Sequence, residues 1–345
     1  MRRPFLAALA GACLLAPVAV AADSSPAART WAKREIRLVV GHGLMAPAVA
    51  SFRPTDALTR GELAELVAGL TGVESRPPGH PSTTVTMAEL DRRLVGALAL
   101  QDAAAAFVEG ARAAGLDPPA RFGTESVARL LGLRTNHPAG QDDLELLPTA
   151  PATRAEAAFS AARILSLDGW EADATREAAL SFALPELGAW QRRILRTALS
   201  LIGYPYVWGG ESERLEGGFD CSGFVWRVYK LQSYAGSNGL AEALRGRTTY
   251  TMSGEVPRAQ RIRLKDLSPG DVVFFGAAGR RSKPAQVDHM GIYVGSDWMI
   301  HSSRYGVALA RLDGWYRERF AWGRRPLAEA GLGAAAPAES IGQNS

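Results

Sequence analysis

Cysteine is nearly missing from this chain: Cys13 and Cys221 are the only two in 345 residues. Cys13 falls in a segment expected to be removed. The chain opens Met1-Arg2-Arg3, runs through an apolar stretch from Phe5 to Val20 broken by Pro17, and reaches Ala19-Val20-Ala21. A charged start, a short apolar core and an A-x-A cleavage pattern mark residues 1–22 as a secretory signal peptide. Cleavage leaves Cys221 alone, which excludes a disulfide framework. A lone thiol in an exported protein is either an inert buried side chain or a nucleophile.

Long apolar runs are also lacking. Nothing after the leader approaches the roughly 18 residues that a membrane-crossing helix needs, so no permanent span is expected. Strong charge is absent as well. The formal +4 falls to +2 without Arg2 and Arg3, with residues 186–345 near +6 and residues 23–185 near −4. The positive half suits a carboxylate-rich substrate. It is too dilute, and too poor in aromatic residues among its basic ones, for nucleic acid.

The length implies two domains, expected at residues 23–185 and 186–328, with a disordered tail at 329–345. The first reads as helical: Ile36, Val39 and Val40, then Leu63, Leu66, Val67 and Leu70, recur at helical spacing, as do apolar positions from Ala155 to Leu165. Residues 168–189 read as a linker. His42, His80 and His137 stand beside Gly or Pro, as turn or surface residues do. A repeat is visible within this half. Phe52-Arg53-Pro54 and Thr59-Arg60-Gly61-Glu62 return as Pro151-Ala152-Thr153-Arg154-Ala155-Glu156, each with a capping-box threonine. Phe122-Gly123-Thr124-Glu125 is the candidate for a third copy between them. With Trp31 and Gly43-Leu44-Met45, these residues resemble S-layer homology repeats. The resemblance implies attachment to a secondary cell-wall polymer through residues 31–168.

The chemistry concentrates in the second half. Gly203-Tyr204-Pro205-Tyr206-Val207-Trp208-Gly209-Gly210 precedes Asp220-Cys221-Ser222-Gly223, and Phe224, Val225, Val228 and Leu231 then follow helical spacing. Cys221 is thus placed at a helix N-terminus, where the helix dipole favours a thiolate. Asp220 before it suits a helix cap. A base is needed, and two histidines lie in strand-like runs around a turn, His289 in Asp288-His289-Met290-Gly291-Ile292-Tyr293-Val294 and His301 in Trp298-Met299-Ile300-His301. With a three-residue loop over Gly295–Asp297, Val294 pairs with Trp298, His301 faces Gly291, and the two imidazoles share one face. An even loop would part them unless a bulge restored the register. In this arrangement His289 holds the thiolate as an ion pair and later protonates the leaving amine, while His301 orients His289. One cysteine and two histidines could also ligate zinc, but their spacing fits no compact zinc motif. The acyl-transfer chemistry requires no metal or organic cofactor.

Pro205-Tyr206-x-Trp208-Gly209-Gly210, Asp220-Cys221-Ser222-Gly223, Leu267-x-Pro269-Gly270-Asp271, His289-x-Gly291-Ile292-Tyr293 and Ile300-His301-Ser302-Ser303 together resemble the NlpC family of cell-wall cysteine peptidases. The resemblance covers about residues 190–326. It implies an α+β, papain-like fold with a Cys-bearing helix on an antiparallel sheet. It further implies a triad of Cys221, His289 and His301, Tyr206 beside the nucleophile at the oxyanion site, and substrate contacts at Asp220, Ser222 and Trp208. The implied activity is hydrolysis of peptidoglycan stem peptides between D-glutamate and a diamino acid, by a protein secreted to the bacterial cell wall or surface.

Overall fold

The computed structural model describes Ala27 and residues 30–136, 145–237 and 239–332. The leader at 1–22, His137, and the tail from residue 333 lie outside these. His42 is exposed, and so is His80, whose φ is +55°.

Among the described residues, seven α-helices of more than one turn build the first half: α1 (Lys33–Gly41), α2 (Arg60–Thr71), α3 (Met87–Ala97), α4 (Gln101–Ala113), α5 (Phe122–Leu130), α6 (Arg154–Leu165) and α7 (Gly169–Leu180). Threonines start three of them. Thr59 Oγ1 accepts from Glu62 N at 3.3 Å, Thr86 Oγ1 from Glu89 N at 3.2 Å, and Thr153 Oγ1 from Glu156 N at 3.3 Å. The segments entering these helices close a three-fold ring of backbone hydrogen bonds. Leu58 N donates to Ala152 O (2.7 Å), Ala152 N to Val85 O (2.9 Å) and Val85 N to Leu58 O (3.0 Å). Two further rings run in the opposite donor-to-acceptor direction, one of them accepting at Pro54, Pro81 and Pro148.

The middle copy is therefore Thr86-Met87-Ala88-Glu89, not Phe122-Gly123-Thr124-Glu125. Thr124 lies inside α5, where its hydroxyl donates to Arg121 O at 3.1 Å. Sequence spacing hides the true copy because Met87 replaces the arginine and because the intervals are unequal, 27 residues on one side and 67 on the other. The expected linker at 168–189 is also corrected. It contains α7, which starts with Asp168 N bonded to Glu171 Oε2 at 2.8 Å and packs on α4.

The second half opens with α8 (Ala189–Ser200), which buries Ile194, Leu195, Ala198 and Leu199. A short pair, β1 (Glu211–Ser212) and β2 (Gly218–Phe219), leads to α9 (Cys221–Trp226), which continues as a π-helical turn over Arg227–Leu231. Strands β3 (Val272–Gly276), β4 (Val287–Gly295), β5 (Trp298–Ser303), β6 (Gly306–Arg311) and β7 (Phe320–Arg324) form an antiparallel sheet in the order β6-β5-β4-β3-β7. Helix α9 packs on β4 and β5, so the cysteine-bearing helix does lie on an antiparallel sheet. Helices α10 (Gly314–Arg319) and α11 (Pro326–Glu329) complete it. Order extends beyond residue 329: Leu332 is buried and its N–H bonds Leu327 O at 2.7 Å.

One apolar core runs through both halves. Phe107 of α4 and Phe182 after α7 meet Trp298 of β5 edge-on at 5.5 Å. Around it, Arg129 of α5 donates to Tyr305 O and Gly203 O, and Arg121 donates to Ile202 O.

Candidate active site

Asp220 caps α9, its Oδ1 accepting from Gly223 N and its Oδ2 from Gly209 N at 3.0 Å. Ser222 Oγ donates to Asp220 Oδ1 and accepts from Arg247 Nη1, both at 2.9 Å. A side chain at Gly223 would strike Gly210 O, 1.8 Å from where a Cβ would lie. This close approach seats the start of α9 against the Gly209-Gly210 loop. Backbone N–H groups of Met290, Ser222 and Cys221 itself favour the charged form of the Cys221 sulfur.

The expected thiolate does not follow from that setting. Cys221 is 8 % exposed, and burial pushes its thiol up to about 12, reinforced by the Asp220 carboxylate and only partly opposed by the three N–H groups. Burial likewise holds His289 down to about 4. Burial therefore favours the neutral form of each group, against the ion pair expected from the sequence. Desolvation outweighs a one-turn helix dipole because α9 spans only six residues before its π-helical turn.

His289 of β4 and His301 of β5 do meet, His289 Nε2 lying 2.7 Å from His301 Nδ1. The register needed for this is present: Ile292 pairs with Ile300 and Tyr293 with Met299. The turn is not the expected one. Gly295 pairs with Trp298, leaving a two-residue turn with Ser296 at φ +48° and Asp297 at φ +60°. A bulge between Tyr293 and Gly295 restores the parity that an even loop would have broken. Gly291 leaves the space for the second ring, since a Cβ there would stand 2.9 Å from His301 Cβ.

Tyr316 of α10 is the residue that sequence reasoning missed. Its hydroxyl lies 3.4 Å from His301 Nε2, and its ring centroid 5.1 Å from that of His301. Only an aromatic pair, Trp315-Tyr316, in an otherwise polar stretch could have signalled it. A hydroxyl donates or accepts. It can therefore follow His301 through either tautomer as His289 gains or loses its proton. Tyr316→Phe keeps the ring and removes this partner, so turnover is expected to fall about 10-fold, in line with one hydrogen bond of about 1–1.5 kcal/mol. Steady-state turnover with unchanged thermal unfolding checks it.

Tyr206 sits beside Cys221: burial, then the Cys221 sulfur, push its hydroxyl up to about 12, keeping it a donor. Its backbone N–H donates to Asn136 Oδ1 at 3.0 Å, and Asn136 Nδ2 donates back to its carbonyl. Trp208 is 87 % exposed on the adjoining loop. Asp220 and Ser222 face inward and spend their hydrogen bonds within the protein. A cavity of about 490 Å³ opens beside the paired rings, lined by His289, Ser303, Arg304, Tyr305, Trp315 and Tyr316.

Residues 203–325 match the NlpC/P60 family and residues 22–64 the S-layer homology domain. A "Probable endopeptidase" of Mycobacterium tuberculosis is 33% identical over 37% of this chain and 28% of its own length. The gamma-D-glutamyl-L-lysine dipeptidyl-peptidase of Bacillus subtilis is 31% identical over 34% of this chain and 33% of its own. The murein DD-endopeptidase MepH of Escherichia coli is 37% identical over 36% of this chain and 41% of its own. The chain thus spans well under half the length of each of these relatives.

Proposed function

We propose that the NlpC/P60 domain makes this protein a peptidoglycan hydrolase, secreted to the cell surface, that cleaves stem peptides between D-glutamate and the diamino acid. The observation that carries the reading is the hydrogen-bonded relay His289–His301–Tyr316 on the sheet, over which the helix that begins at the buried Cys221 packs. It is an arrangement for moving one proton to and from a sulfur. As the carbonyl carbon is attacked, His289 takes the Cys221 proton and charge separates only then. The oxyanion is met by the Tyr206 hydroxyl and the Cys221 backbone N–H. His289 then gives its proton to the leaving amine, and water hydrolyses the thioester with His289 again as base. Trp208 contacts the acyl side of the substrate, and Asp220, Ser222 and Arg247 shape that side. The S-layer homology repeats hold the enzyme to a wall polymer.

Desolvation of both groups sets the expected pH dependence. Activity requires unprotonated His289, whose pKa is lowered to about 4, so the acid limb of kcat/KM falls there. The plateau extends from about pH 5.5 to about pH 8.5, since neither partner changes charge in that window. An acid limb at or above about pH 6 would mean that burial does not depress His289, and an alkaline limb below about pH 9 would mean that an ion pair is the resting state.

Mass spectrometry of digested muropeptides tests the function itself. Wild-type protein is expected to release fragments ending in D-glutamate and others beginning with the diamino acid, and Cys221→Ala to release none. Cleavage at a D-Ala bond instead would overturn the assigned position, and equal release by Cys221→Ala would overturn the nucleophile.

A further inference from the structure

A leaving amine must lie within reach of the acid that protonates it, so the leaving-group residue belongs on the His289 side of the sulfur. The cavity beside His289 is the space there. Its lining carries one fixed charge, the Arg304 guanidinium, and no carboxylate. Arg304 has no ion-pair partner among the described residues. Its Nη2 donates to the Tyr305 hydroxyl at 2.7 Å, and its guanidinium carbon stands 4.8 Å from the centre of that ring. The neighbouring Arg319 is committed elsewhere, to Asp288 and to the face of Trp315.

The wall that presents Arg304 is built in from the helical half. Asn136 N donates to Arg304 O at 2.7 Å, and Arg129 Nη1 to Tyr305 O. Gly306, at φ +65°, lets the turn approach so closely that a Cβ would lie 2.6 Å from Tyr204 O. The turn is held from three sides, which fixes where the guanidinium starts from.

Resting on the peptidase reading above, we infer that this cavity is the leaving-group subsite and that Arg304 selects a diamino acid bearing a second carboxylate over lysine. Meso-diaminopimelate ends in a carboxylate that a guanidinium takes in a two-point contact. Lysine ends in an ammonium that would meet like charge and find no acid in the lining. A charge-assisted hydrogen bond of about 1.5–3 kcal/mol corresponds to a preference of roughly 10- to 150-fold in kcat/KM.

The experiment compares L-Ala-γ-D-Glu-meso-diaminopimelate with L-Ala-γ-D-Glu-L-Lys as substrates for the full chain and for Arg304→Met and Arg304→Lys. The wild type is expected to prefer the first at least about 10-fold, Arg304→Met to lose that ratio, and Arg304→Lys to retain part of it. Equal rates in the wild type, or a ratio that survives Arg304→Met, would overturn this inference while leaving the peptidase intact. Cleavage of neither peptide would overturn the peptidase reading as well.

Discussion

Cys221→Ala is expected to lower stem-peptide cleavage by at least about 10⁴-fold, the scale seen when a covalent nucleophile is removed. Because the side chain is small, unfolding should shift by no more than about 1.5 kcal/mol. Cys221→Ser should fare no better, for a reason specific to this site. An imidazole held down to about 4 by burial is a weak base, adequate for a thiol and not for an alcohol, which is several pKa units less acidic. Turnover and thermal unfolding measured on both variants check this. Serine activity within about 100-fold of wild type would mean that His289 is a far stronger base than its burial implies.

Cys221, His289 and His301 are legible in the sequence as candidates because each sits where local pattern is strong. Cys221 lies between a glycine loop and a helical period, and each histidine lies in a β-rich run. Parity then brought the rings to one face. The turn was misread because a two-residue type and a three-residue loop use the same glycine-led letters. Only the bulge, a tertiary feature of β4, separates them. The weight of burial on protonation escapes the sequence for a different reason. Position at a helix start is visible in a sequence, but the burial that dominates here comes from the packing of α9 on β4 and β5. Tyr316 reaches His301 from a helix that packs against β3 and that no motif announces. The helical half showed its first and third copies through Thr-Arg-x-Glu and hid the second, where Met87 breaks the pattern while Thr86 still caps. Its junction with the catalytic half was not legible at all, since Phe107, Phe182 and Trp298 are far apart in the chain and share no period.

Arg129→Met is expected to destabilise the protein by about 3–5 kcal/mol, the range for removing one partner from a buried ion cluster. Arg129 bonds Glu125 Oε1 and Glu145 Oε1 at 2.8 Å, while Arg134 bonds Asp91 Oδ2 at 2.8 Å and Glu145 Oε1 at 2.7 Å. All five side chains are at most 1% exposed. Three carboxyls therefore share two guanidiniums. Burial pushes Asp91 up to about 7, so near neutral pH the cluster holds a proton that brings its charge towards balance. Removing Arg129 leaves three acids on one cation and also frees Tyr305 O and Gly203 O, which tie the catalytic half to α5. The remaining carboxyls then have folded pKa values raised above those of the unfolded chain. Such groups cost nothing when protonated and destabilise as pH rises through the folded value. The gap between variant and wild type should accordingly narrow from pH 8 to about pH 5. Denaturant unfolding at the two pH values measures it. A gap that widens towards acid would mean that the lost contribution is an ordinary ion pair and not relief of a crowded set of acids.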